Sequence, residues 1–141
     1  MFGKKKASPA AAALQLFTRQ LDSENIKYSV DSEKDIVRVR YNGDYFKSVT
    51  FTFIFDDDGE SFALRVFSIA QFTNNQLNDA YEFCNRMNNS YRWLRIYVDD
   101  DKELTAALDA VITPATTGAV ASELLHRAVN IVDSVCKELN S

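Results

Sequence analysis

Between residues 37 and 66 the chain keeps a hydrophobic period of two, which only a β-sheet can bury. Val37, Val39 and Tyr41 alternate with Arg38 and Arg40. Val49, Phe51, Phe53 and Phe55 alternate with Thr50, Thr52 and Ile54, and Phe62, Leu64 and Val66 with Ala63, Arg65 and Phe67. Successive strand residues point to opposite faces, so each segment offers one apolar face and one more polar one. β-branched and aromatic residues dominate, as pleated surfaces favour. Asn42-Gly43 is a hairpin signal, and Asp56-Asp57-Asp58-Gly59 separates the next two segments. A further short strand is expected at 26–30.

Elsewhere the period is helical. Ser8 as N-cap and Pro9 at the first helical position open a helix over 9–23, with Ala10, Leu14, Phe17 and Leu21 on one face. Thr73 and Gln76 form a capping box, with Phe72 and Leu77 as its hydrophobic staple. Leu77, Ala80, Tyr81, Cys84 and Met87 follow on one stripe, and Asn88-Asn89 is placed to close the helix with a left-handed residue. Leu94, Ile96 and Val98 then alternate with Trp93, Arg95 and Tyr97. Residues 103–112 fit helix and strand alike, and the turn before them favours a strand. After Pro114 and Gly118, Val120, Leu124, Ile131, Val135 and Leu139 mark a last helix, with Glu123/Arg127 and Asp133/Lys137 as ion pairs one turn apart. The order is α-β-β-β-β-α-β-β-α. The expected fold is one α+β domain over 9–141, an antiparallel-rich sheet flanked by helices, behind a flexible basic tail at 1–8.

Composition narrows the function. The chain has 141 residues, 46% of them hydrophobic, enough for a core without staples. Two cysteines are too few for a disulfide framework, and neither belongs to a metal-binding spacing. The net charge is −4, and −7 once the three charges of Lys4–Lys6 are set aside. So acidic a body repels nucleic acid and anionic membrane, which disfavours nucleic acid as a partner and favours a protein. The start imitates a signal peptide, but its apolar stretch is short and interrupted by Gln15 and Arg19. No run approaches the roughly 18 apolar residues of a membrane span. A soluble, cytoplasmic protein is expected.

The two runs of three aspartates, Asp56–Asp58 and Asp99–Asp101, read as turns and not as a metal site. A calcium loop spaces its ligands at alternate positions between helices, whereas these are contiguous and lie between strands. Weak calcium binding by one of them is the alternative. His126 is the only histidine and is expected to be solvated. No nucleophile elbow, phosphate-cradling glycine loop or zinc-protease motif accompanies it. Cys84 and Cys136 fall on apolar stripes as small buried hydrophobes. No catalytic residue, metal or cofactor is expected.

The second face of the sheet is the candidate site. With Val37, Phe51, Phe53, Leu64, Leu94 and Ile96 turned to the helices, the other side carries Arg38, Arg40, Arg65, Phe67, Trp93, Arg95 and Tyr97. Arginine and large aromatics are enriched at protein interfaces. An ordinary solvated sheet face is the alternative to this reading. A homodimer through this face is expected, with the last helix as the other candidate surface. A small-ligand or nucleic-acid module on the same face is the alternative function.

The segment YEFCNRMNNSYRWLRIYVDDDKELTAAL, with its Asn-rich helix end, Trp-bearing strand, acidic turn and second strand, resembles the YbjN family of bacterial proteins. The final helix after Pro114 fits too. The resemblance implies a fold similar to type III secretion chaperones and a role in sensory transduction or stress regulation. It also implies dimers that bind extended client segments, and it carries over no catalytic residue.

Overall fold

A computed structural model describes residues 8–141. Of the expected basic tail, residues 1–7 lie outside that range. Helix α1 spans Pro9–Ser23, followed by strands β1 (Ser29–Asp31), β2 (Ile36–Tyr41), β3 (Val49–Phe55) and β4 (Ser61–Val66). A 3₁₀ turn at Asn74–Gln76 leads into α2 (Leu77–Ser90), then β5 (Arg95–Val98), β6 (Leu104–Val111) and the long α3 (Thr117–Leu139). The six strands form one sheet in the order β1-β2-β3-β4-β6-β5, every neighbouring pair antiparallel. This is the expected α+β architecture, and the ambiguous stretch at 103–112 is strand.

Alternation places Val37, Val39, Phe51, Phe53, Phe55, Phe62, Leu64, Val66, Ile96 and Leu108 in the core, all but fully buried. Phe17 of α1 packs on Phe53 with ring centroids 4.5 Å apart, and Phe53 and Phe55 both meet Phe62. Ala80, Phe83, Cys84 and Met87 of α2, and Ala121, Leu125, Ala128, Val132 and Val135 of α3, are buried as well. The helices thus cover a single face of the sheet.

Local expectations fare unevenly. The Ser8 hydroxyl accepts from the Ala11 amide at 3.1 Å, and the Gln76 side chain accepts from the Thr73 amide at 2.8 Å, as read. The α2 stripe runs through Phe83, while Tyr81 is 54% exposed, because the 3.6-residue period starting from Ala80 meets 83, 84 and 87. The α3 stripe is centred one residue later than read, on Ala121, Leu125, Ala128 and Val132, which leaves Val120, Leu124, Ile131 and Leu139 half-buried on its flanks. The strand expected at 26–30 begins only at Ser29, because α1 ends in a left-handed cap at Asn25 (φ 59) that turns the Ile26 amide back to the Leu21 carbonyl.

Asn42-Gly43 does not make a tight hairpin. Tyr41 pairs with Val49, so a seven-residue loop, 42–48, joins β2 to β3. Phe46 dips from it into the core against Phe51. The Asp133 carboxylate accepts the Tyr45 amide at 2.8 Å, and the Lys137 ammonium lies over the Tyr45 ring. These two α3 residues therefore hold the loop, whereas Glu123 and Arg127 form their expected pair at 2.7 Å. A Cβ at Gly43 would clash with the Asp133 carboxylate and the Phe46 ring, so a larger residue would have to displace one of these loop contacts.

A candidate binding face

The face opposite the helices is built by register. One row crosses all six strands: Ser29, Arg38, Thr52, Arg65, Ala107 and Arg95, each paired with the next. A parallel row pairs Arg40 with Thr50 and, across the sheet, Thr105 with Tyr97. Phe67 follows Val66 just past the end of β4 and is 53% exposed. Six of the seven expected site residues thus belong to one surface or its rim. Thr52, Thr105 and Ala107 are small and buried, so the long side chains around them dominate what a partner would meet.

Trp93 is the exception. It lies outside β5 with φ 75, which breaks the strand alternation that would have placed it beside Arg95 and Tyr97. Its ring instead packs against the Arg127 guanidinium of α3 at 5.0 Å and that of Arg92 at 5.1 Å, in the helix layer. It is removed from the open-face set.

The four arginines of the face differ in their electrostatics. Arg65 donates to the Leu64 and Leu108 carbonyls at 2.9 and 3.0 Å and pairs with Asp109 at 3.0 Å. Arg95 reaches the other oxygen of Asp109 at 3.4 Å. A single carboxylate therefore sits between two guanidinium groups. Arg38 and Arg40, two residues apart on β2, are exposed and make no ion pair among the described residues.

The acidic runs are turns with one shared geometry. In each, the fourth residue's amide donates to the first residue's carbonyl: Gly59 to Asp56 at 2.9 Å, Lys102 to Asp99 at 3.0 Å. In each, that fourth residue is left-handed, with φ 70 and 63. The Asp99 carboxylate accepts the Asp101 and Glu103 amides and the Thr105 hydroxyl, and these bonds hold its pKa below the usual carboxylate range against the opposing effect of burial. Asp101 and Glu103 lie close enough to Asp99 for their oxygens to approach within 4.8 Å, while the Asp99 oxygens accept three bonds from the turn.

His126 is not simply solvated. Its Nε2 lies 2.8 Å from the Glu24 carboxylate, whose other oxygen accepts Ser122 Oγ at 2.5 Å and the Gln20 amide at 2.8 Å. The bonds from Ser122, then His126 and Gln20, hold Glu24 near a pKa of about 2. The acid sits between serine and histidine, whereas a catalytic triad needs the histidine in the middle. The cluster ties the end of α1 to α3. Sequence reading missed it because its members lie some 98–102 residues apart. Cys84 and Cys136 are buried as expected; burial raises both thiols, Cys136 to about 11 with help from Asp133.

Comparison with known proteins adds the lineage. The family model of YbjN, described as "Putative bacterial sensory transduction regulator", matches residues 13–140. The crystal structure of YbjN from E. coli, titled "a putative transcription regulator", superposes with a TM-score of 0.60 at 10% identity, covering 89% of this chain and 92% of that one. At that identity the likeness speaks to fold alone. None of the curated proteins matches this chain. Among the described residues no helix is long and apolar enough to cross a membrane.

Proposed function

This chain belongs to the YbjN family, and we propose that it is a non-enzymatic, cytoplasmic regulator or chaperone-like adaptor that holds a protein partner on its open sheet face. One observation carries the reading. All three helices spend their apolar stripes on one side of the sheet, and the other side keeps Phe67 and Tyr97 exposed beside Arg65 and Arg95. Exposed aromatics flanked by guanidinium donors are what interface centres use. Asp109 pairs with both arginines, leaving Arg95 about half exposed while Arg65 is largely buried beside it. A partner's polar groups would meet the exposed Arg95–Asp109 pair, and its apolar side chains would meet Phe67 and Tyr97. A second copy of the chain is one candidate partner for this face, as a homodimer.

Affinity capture from a native lysate, run in parallel with wild type and a Phe67→Ser/Tyr97→Ser variant, tests the reading. Both substituted residues are exposed, so folding is retained, with circular dichroism as the control. The expected result is a specific protein held by the wild type and lost at least about tenfold in the variant. Equal recovery by the two would overturn it.

A further inference from the structure

The opposite end of the same face carries a separate feature. Strand β1 has only three residues and pairs with Ile36–Arg38, so β2 runs on through Arg40 and Tyr41 with no strand beside it on the outer side. The missing length leaves a depression of about 460 Å³. That size suits a small ligand, for which sites typically run to a few hundred cubic ångströms. Lys27, Arg38 and Arg40 line it with Ser29, Ser48 and Thr50. No carboxylate is among its lining residues.

The charge pattern makes this end unlike the other. Arg65 and Arg95 share Asp109, whereas Arg38 and Arg40 face outward from adjacent rows of one strand, about 7 Å apart by strand geometry. Carboxylates reach this end only through its tyrosines, Asp22 accepting the Tyr28 hydroxyl at 2.9 Å, and among the described residues none pairs with Lys27, Arg38 or Arg40. Two uncompensated guanidinium groups and an ammonium in one hollow repel each other, and an anion entering it relieves that repulsion. Guanidinium forks match phosphate oxygens in pairs, and the hydroxyls of Ser29, Ser48 and Thr50 supply neutral donors for the remaining oxygens.

We propose that this depression is a binding site for a small phosphate-bearing molecule, gripped by Arg38 and Arg40 with Lys27 at its rim. A small ligand is favoured over an extended nucleic acid because the cationic hollow is local while the chain as a whole is acidic. The site does not rest on the partner reading, since Phe67, Tyr97 and the Asp109 pairs belong to the β4–β6–β5 half of the sheet.

Calorimetric titration of the intact chain with inorganic pyrophosphate at low salt is the test. The expected result is saturable binding of one pyrophosphate per chain. It weakens at least about tenfold in Arg38→Gln/Arg40→Gln and stays within about twofold of wild type in Arg19→Gln/Arg86→Gln, an equal charge change at exposed positions of α1 and α2. Should the first double variant lose its fold, Arg40→Gln alone and amide-shift mapping of the wild type, centred on residues 27–29 and 38–50, give the same decision. No saturable binding by the wild type, or undiminished binding by the Arg38/Arg40 variant, overturns the site. So does an oligothymidylate that binds more than tenfold tighter than pyrophosphate, which would make the hollow part of a nucleic-acid surface. Failure here leaves the capture experiment at Phe67 and Tyr97 unaffected, and failure there leaves this titration unaffected.

Discussion

At the scale of single residues, the two acidic turns show how one backbone geometry is met by two sequences. Both need a left-handed fourth residue; glycine supplies it at Gly59 without strain, and Lys102 does so against the clash of its Cβ. Lys102→Gly should therefore stabilise the protein by up to about 1 kcal/mol, read as a higher urea midpoint with unchanged slope. A lower midpoint would show that the Lys102 side chain contributes more than its backbone costs. The aspartates were legible as turns because Asp and Gly act through their own backbone. His126 was not, because its partner lies 102 residues away. Trp93 misled the face assignment for a related reason: alternation presumes extended backbone, and a single positive φ cancels it.

At the scale of elements, β5 is an edge strand that the chain covers with one side chain. The Asn88 amide donates to the Ile96 carbonyl at 3.0 Å and accepts the Ile96 amide at 2.8 Å, as a neighbouring strand would. The Asn-rich helix end thus serves the sheet, and not the left-handed cap that its composition implied; α2 ends at Tyr91 in extended backbone. Asn88→Ala should cost roughly 1–3 kcal/mol by leaving both groups unpaired, and should speed hydrogen exchange at the Ile96 amide above that of its neighbours. Unchanged exchange there would refute the role. The α1–α3 tie through Glu24 makes a pH prediction. Its folded pKa, about 2, lies below the ordinary glutamate value of about 4.3, so its contribution is full above that value and fades as pH falls through 2. Wild type should lose more thermal stability between pH 5 and 2 than Glu24→Gln does; partial exposure of the carboxylate keeps the difference modest. Parallel melting curves would mean the tie contributes nothing.

At the scale of the whole molecule, the three helices on one side of a six-stranded sheet leave the molecule two-faced. Trp93→Ala separates the faces. Because Trp93 packs on Arg127 in the helix layer, the substitution should cost about 1 kcal/mol of stability, the scale of a half-exposed cation–π contact. It should leave both partner capture and pyrophosphate binding at wild-type levels. Loss of capture with the fold intact would return Trp93 to the interface. Sedimentation of wild type against Phe67→Ser/Tyr97→Ser decides whether a second copy occupies the open face, with dimer lost in the variant as the expected outcome.

What the sequence alone determined was the class of fold and the order of its elements, because periods of 2 and 3.6 are local properties that each segment states for itself. It also determined which arginines share the outward side, since Arg38, Arg40, Arg65 and Arg95 sit in unbroken strands. Only the tertiary structure decided strand order, the placing of β6 between β4 and β5, and hence the union of Arg65 and Arg95 on one Asp109. Only it showed that β1 stops short and opens a hollow beside Arg40. Register and neighbourhood depend on where distant segments meet, and no local pattern of side chains encodes the charge of a neighbour that arrives from another strand.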